Sequence, residues 1–169
     1  MLTILAQQLG AILLKHQYKL ATAESCTGGW IATTITAIAG SSQWFERGFI
    51  TYSNAAKMEM LSVAEKKLAE FGAVSEATAC QMAQGALQHS EAQVALSTTG
   101  IAGPGGGSRD KPVGTVCFAW ALPDLEISSI TQHFSGDREA IRKQAVIFAL
   151  QQLLMILGSR QHHAGEFQG

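Results

Sequence analysis

Three segments of this sequence carry side chains able to do chemistry beside glycines or at a change of element. The first is Thr22-Ala-Glu-Ser25-Cys-Thr-Gly-Gly29. Its serine lies where a short apolar run gives way to a helical pattern. Free amide N–H groups and the positive end of the dipole gather at such a point. A serine nucleophile there has oxyanion donors close by. Gly28 and Gly29 in a first helical turn cost about 1 kcal/mol each against alanine, which suggests close approach of backbone to a ligand or another element. The local sequence leaves an ordinary Ser/Thr cap with packing glycines open as the alternative. Cys26 reads either as an activated thiolate or as a small buried side chain.

The second segment is Thr51-Tyr52-Ser-Asn-Ala-Ala-Lys57. Lys57 falls in the first turn of the next helix, where a cation opposes the helix dipole. As a general base it needs its pKa brought down towards neutrality, and burial among apolar neighbours supplies that bias. The alternative is a solvated surface lysine. The third segment is the loop Gly100-Ile-Ala-Gly-Pro-Gly-Gly-Gly107. Its glycines permit positive φ and can turn N–H groups outward as an anion nest. It is neither a P-loop nor a dinucleotide fingerprint, because no Lys-Ser/Thr and no helix follows it. Arg138, in Phe134-Ser-Gly-Asp-Arg138, can bind a carboxylate or phosphate, or sit exposed near a cap aspartate. Ser108 and Lys111 spell S-x-x-K, but Pro112 and the glycines argue for loop, so the spacing reads as coincidence. The five histidines show no metal-ligand spacing.

The chain has 169 residues, a net charge of −1, 47% hydrophobic and 15% charged residues. That suits one domain with a real core. The 12 Lys and Arg are scattered, which argues against a nucleic-acid partner. Aspartate occurs only at 110, 124 and 137, so sites built from several aspartates are improbable. No uninterrupted apolar run approaches the ~20 residues of a membrane span. The N-terminus has no signal-peptide pattern, and the three cysteines have no CxxC spacing. A cytoplasmic, reduced protein without metal or cofactor is expected.

Helical patterns cover residues 3–16, 27–39, 54–60, 64–70, 75–88 and 137–157, and strand patterns 20–23, 49–52, 94–99, 113–122 and 125–134. Asn54 is the expected cap of the third helix and Asp137 that of the last. The last two strands read as an antiparallel hairpin about Pro123-Asp124. Helices alternating with strands predict an α/β fold: a three-layer α/β/α sandwich with a mixed sheet, in a single domain over 1–158. Residues 159–169 read as a polar, disordered tail.

The order of five motifs carries a resemblance. Ala23-Glu-Ser-Cys-Thr-Gly-Gly29, Thr51-Tyr-Ser-Asn-Ala-Ala-Lys57, Gly100-Ile-Ala-Gly-Pro-Gly-Gly-Gly107, Lys111-Pro-Val-Gly-Thr115 and Phe134-Ser-Gly-Asp-Arg138 follow one another. The chain resembles the CinA C-terminal domain family in its stand-alone form, over about residues 4–157. The resemblance implies hydrolysis of the nicotinamide carboxamide of nicotinamide mononucleotide (NMN), giving nicotinate mononucleotide and ammonia. It implies a metal-free Ser/Lys hydrolase with Ser25 as nucleophile, Lys57 as general base and Tyr52 as an assisting hydroxyl. Expected substrate contacts are Cys26, Thr27, Gly28 and Gly29 in the first segment. Thr99, Gly100, Ile101, Ala102, Gly103, Gly106 and Gly107 are expected along the loop, with Arg138 beyond it. A homodimer is expected from the resemblance and the low charge fraction. The rival reading is a catalytically inactive module that binds a pyridine nucleotide; a Cys26 thiol hydrolase is a third.

Overall fold

The structure, a computed structural model, describes residues 1–164. The helices are α1 (Leu2–His16), α2 (Trp30–Thr36), α3 (Asn54–Leu61), α4 (Glu65–Phe71), α5 (Glu76–Gln88) and α6 (Arg138–Ala164). The strands are β1 (Leu20–Glu24), β2 (Phe45–Ile50), β3 (Val94–Gly100), β4 (Thr115–Ala121) and β5 (Ser128–His133). They form one five-stranded sheet in the order β2-β1-β3-β4-β5. β1 is parallel to β2 and to β3, whereas β4 and β5 add antiparallel. The mixed sheet and its closing hairpin are as the sequence predicts.

Alternation along the strands divides the core by size. Leu20, Leu96, Val116, Phe118 and Trp120 face one side and pack with Leu9, Leu13, Ile35, Val146, Leu150 and Leu153 of α1, α2 and α6. Ala21, Ala23, Ala95, Ala119 and Ala121 face the other and meet Leu61, Leu68, Met82 and Ala83 of α3, α4 and α5. Side chains of opposite parity on a strand point to opposite faces, so the pattern yields helix, sheet and helix layers. The alanine face draws its helices in closely. On α5, a Cβ added at Gly85 would lie 2.0 Å from the Leu61 carbonyl oxygen, so only glycine permits the α3–α5 contact.

Several boundaries and one cap differ from the sequence pattern; among them α2 ends at Thr36 rather than 39 and β5 starts at Ser128 rather than 125. β2 spans 45–50 rather than 49–52 because it is an edge strand. Its Glu46 and Arg47 pair with each other at 2.6 Å, and such charges hide the apolar alternation. α2 starts at Trp30 rather than 27, since Gly28 (φ +58°) and Gly29 (φ +93°) are left-handed and close a turn first. The cap of α3 is Ser53, whose Oγ accepts from the Ala56 amide at 3.0 Å, one residue before the expected Asn54. α6 continues through Ala164 into the segment read as a disordered tail; residues 165–169 lie outside the described residues. Asp137 does cap α6, accepting from the Ala140 amide at 2.9 Å.

By length and composition, residues 138–159 of α6 would suffice to cross a membrane, which a search for uninterrupted apolar runs does not detect. Its apolar stripe is committed to the core instead. Ile141, Ala145, Val146, Ala149, Leu150, Leu153 and Leu157 are all buried there, and Trp120 donates its indole N–H to the Ala149 carbonyl.

Candidate active site

The parallel strands β2, β1 and β3 all end on one side of the sheet. The chain passes from β1 outward to β2 and then returns to β3 on the other flank, so a topological switch point lies at β1. Ligand crevices in α/β sheets open at the carboxyl ends of strands at such a point. Ser25 is the residue after β1, and its amide still donates to the Thr98 carbonyl at 2.9 Å. Thr51 follows β2 in the same way, donating to the Glu24 carbonyl at 2.9 Å. Sheet hydrogen bonding thus carries both site segments one residue beyond the strands.

Lys57 comes from α3. It lies four residues from Leu61, so both fall on the helix face turned to the sheet. Its side chain is only 1% exposed. Nζ lies 3.0 Å from Ser25 Oγ, 2.9 Å from the Thr51 carbonyl oxygen and 3.4 Å from that of Tyr52. Among the described residues the only ion pair is Arg47–Glu46, so no carboxylate compensates the ammonium. Burial therefore pulls the Lys57 pKa below its ordinary value. A neutral amine has two N–H donors and one lone pair. The two carbonyls can take the donors, which turns the lone pair to the Ser25 hydroxyl proton. A nucleophile and its base need such an arrangement.

The turn after Ser25 departs from the sequence expectation. The helix N-terminus does not point free donors at the serine. Glu24, 1% exposed, takes them: its Oε1 accepts from the Ile31 amide (2.9 Å) and the Thr27 hydroxyl (2.7 Å), and its Oε2 from the Ala32 amide (3.0 Å). An acid belongs at this end of the dipole, and Glu24 occupies it from seven residues away. The sequence reading quoted Glu24 but gave it no role. Cys26 is buried, and burial pushes its thiol up to about 12. Burial thus disfavours the thiolate that a thiol hydrolase needs.

A cleft of about 210 Å³ opens beside the dyad, lined by Ser25, Cys26, Tyr52, Asn54, Lys57, Ala73, Val74, Thr99, Gly100, Ala102 and Arg138. Of the expected site residues, the structure brings Ser25, Cys26, Tyr52, Lys57, Thr99, Gly100, Ala102 and Arg138 together there. It leaves out Thr27, Gly28, Gly29, Ile101, Gly103, Gly106 and Gly107, for steric and hydrogen-bonding reasons. The Thr27 hydroxyl is bound to Glu24 and Thr98. Added Cβ atoms would meet Arg142 at Gly28 (3.4 Å), Ile50 at Gly29 (2.9 Å) and the Val113 amide at Gly107 (2.8 Å). Gly106 has φ +87° and serves the loop's turn. The Ile101 amide is spent on the Thr115 carbonyl, and Gly103 offers its carbonyl to Arg138.

Tyr52 is 61% exposed, and its hydroxyl accepts from Arg138 Nη2 at 2.9 Å rather than meeting Lys57. Arg138 Nη1 donates to the Gly103 carbonyl at 2.7 Å, so this arginine spans the rim of the cleft. Asn54, Ala73 and Val74 were missed. Asn54 had a detectable signal, a polar side chain in the first turn beside Lys57. Ala73 and Val74 had none, because Thr99 Oγ1 ties the Ala73 carbonyl to the end of β3 from 26 residues away. No cluster of three His, Cys, Asp or Glu side chains among the described residues is placed to hold a metal ion.

Comparison with known proteins gives the family. The family model of the CinA C-terminal domain matches residues 2–157. The chain is 55% identical over 149 residues to nicotinamide-nucleotide amidohydrolase PncC of Escherichia coli (strain K12), covering 88% of this chain and 90% of that one. It is 48% identical to the protein of that name from Pseudomonas putida, covering 92% and 96%. Among solved structures, the competence/damage inducible protein CihA from Agrobacterium tumefaciens superposes with a TM-score of 0.89 at 44% identity, over 93% of this chain and 95% of that one. With this match spanning nearly all of its length, the chain belongs to the CinA C-terminal domain family.

Proposed function

We propose that this protein hydrolyses the carboxamide of NMN to nicotinate mononucleotide and ammonia. The observation that carries the reading is the buried Lys57 Nζ, with no acid partner among the described residues, 3.0 Å from Ser25 Oγ at the edge of a cleft. The names of the relatives with 48–55% identity agree with it. Neutral Lys57 accepts the Ser25 proton as Oγ bonds to the carboxamide carbon. The tetrahedral intermediate collapses, its C–N bond breaks, and Lys57 returns the proton to the leaving ammonia. Water, deprotonated by Lys57, then cleaves the ester and regenerates Ser25. The test is ammonia release from NMN by the purified protein, with and without a chelator. Release that survives the chelator supports a metal-free Ser/Lys amidase; no release rejects the reading.

The cleft volume is below the ~300 Å³ floor of ordinary small-molecule pockets, so it suits the pyridine ring and leaves the ribose phosphate at the rim. Arg138 stands there with three of its five N–H donors uncommitted. We assign it the phosphate, and Tyr52 the task of holding its guanidinium. Arg138→Gln is then expected to raise KM for NMN by about 10- to 100-fold with little change in kcat, the worth of a charge-assisted hydrogen bond. Nicotinamide riboside, which lacks the phosphate, should be hydrolysed equally by variant and wild type. Equal losses on both substrates would reject the assignment.

The rival reading, a binding module without catalysis, does not require a lowered Lys57 pKa. An NMR titration of Lys57 near 10 would favour it. The three free cysteines are in keeping with a cytoplasmic setting. The chain is further read as a homodimer. Exposed Ile4, Leu14, Ile50 and Met155 support this as apolar surface available for cover, and mass by light scattering decides it.

A further inference from the structure

The oxyanion donors are unaccounted for by the helix end, because Glu24 consumes the Ile31 and Ala32 amides. The Cys26 amide, immediately after the nucleophile in a residue that lines the cleft, donates to no oxygen among the described residues and faces only its own thiol; Thr27 is fully buried behind it. What orients the Cys26 amide is a side chain with no expected role. Arg142, one turn beyond Arg138 on α6, donates through Nε to the Cys26 carbonyl (3.1 Å) and through Nη2 to the Thr27 carbonyl (3.0 Å). It also lies over the Trp30 ring, 5.4 Å from its centroid, and pairs with no carboxylate among the described residues.

We infer that Arg142 is a positioning residue that sets the Cys26 amide as an oxyanion donor for Ser25, a role that rests on the amidase reading above. A peptide unit is planar and trans, so fixing its carbonyl fixes the opposed N–H. The bond to the Cys26 carbonyl fixes the Thr27 N–H. The bond to the Thr27 carbonyl fixes the Gly28 N–H, which closes the turn on the Ser25 carbonyl at 3.0 Å. That closure in turn fixes the Cys26 N–H. The Trp30 amide also donates to the Thr27 carbonyl, at 3.0 Å, so the fork and two backbone hydrogen bonds together hold the turn behind the nucleophile, and among the described residues the fork alone holds the Cys26 carbonyl. Two neighbouring donors of a guanidinium reach two successive carbonyls at once; an ammonium on a flexible stem does not match that geometry.

The test compares Arg142→Met and Arg142→Lys with the wild-type protein. For Arg142→Met, kcat for ammonia release is expected to fall about 100-fold, the scale of a small misplacement in an active site, with KM within threefold. Labelling of Ser25 by an alkyl fluorophosphonate should slow in parallel. Added guanidinium ion should restore part of both rates in Arg142→Met and none in Ser25→Ala. Arg142→Lys should remain impaired although its charge is kept.

Rates within threefold of wild type in Arg142→Met would overturn the inference. So would a loss that tracks thermal destabilisation and ignores guanidinium. Should Arg142→Met fail to fold, the rates of Arg142→Lys decide by the same criteria. A wild-type protein that labels at Ser25 but releases no ammonia from NMN refutes the substrate reading, and the labelling rates still decide the role of Arg142.

Discussion

Lys57→Met is expected to abolish ammonia release and, as pH falls from 10.5, to gain stability relative to the wild type. Loss of a positioned general base costs about 10²–10⁴ in rate. The stability effect follows from the same burial. Lys57 titrates at 10.5 when unfolded and lower when folded, with desolvation as the cause. Between those two values the unfolded chain holds a proton that the native protein lacks, so wild-type stability rises with pH there. Below the folded value both states are protonated and the full penalty remains. Above 10.5 it is gone. Methionine carries no such penalty, although it leaves the Thr51 and Tyr52 carbonyls without Nζ. That loss is constant with pH, whereas the lysine penalty is not. The measurement is the difference in unfolding free energy between the two proteins at several pH values up to 10.5. A pH-independent difference would show that Lys57 keeps an ordinary pKa. The pH–rate profile carries the same sign: kcat/KM rises with pH as Lys57 loses its proton, along a limb lying below 10.5.

Ser25→Ala is expected to lower kcat by about 10⁴-fold or more while NMN still binds, since knocking out a hydrolase nucleophile removes a unit of the machinery rather than ground-state contact. Ser25 is only 7% exposed, and its backbone is held by Thr98, so alanine preserves the turn. Calorimetry should find NMN affinity within a few-fold of wild type. Quenching wild-type turnover with acid should leave the whole nicotinate mononucleotide acyl group, ribose phosphate included, as an ester on the peptide containing Ser25, detectable by mass and removed by hydroxylamine. Turnover by Ser25→Ala at the wild-type rate would eliminate the covalent route and transfer the Lys57 role to activating water directly.

Much of the fold was legible because its layers obey simple periodicities. Alanines alternating with larger residues in β1, β3 and β4 and the apolar stripe of α6 announce a sheet with two dissimilar faces. The edge strand β2 was misplaced, since a strand with few buried residues need not show that alternation. The start of α2 was misplaced for a different reason. Glycine pairs fit both a first helical turn and the left-handed turn seen before it, and only the surrounding contacts choose. The glycine loop misled in part. Its glycines were read as facing a ligand, but several serve close approach to Val113 or the loop's own turns.

By itself the sequence determined which residues are candidates for chemistry, their placement at strand-to-helix junctions, and the family. These are local properties, set by residue type and short spacing. The tertiary structure alone decided who meets whom. Lys57 reaches Ser25 across 32 residues, Arg138 reaches Tyr52 across 86, and Arg142 reaches Cys26 across 116. It also decided that Glu24 fills the helix terminus and that the Tyr52 hydroxyl accepts from Arg138. Such pairings depend on which strand ends are adjacent and which helix face is buried. The order of strands in the sheet sets them, and no local spacing encodes it.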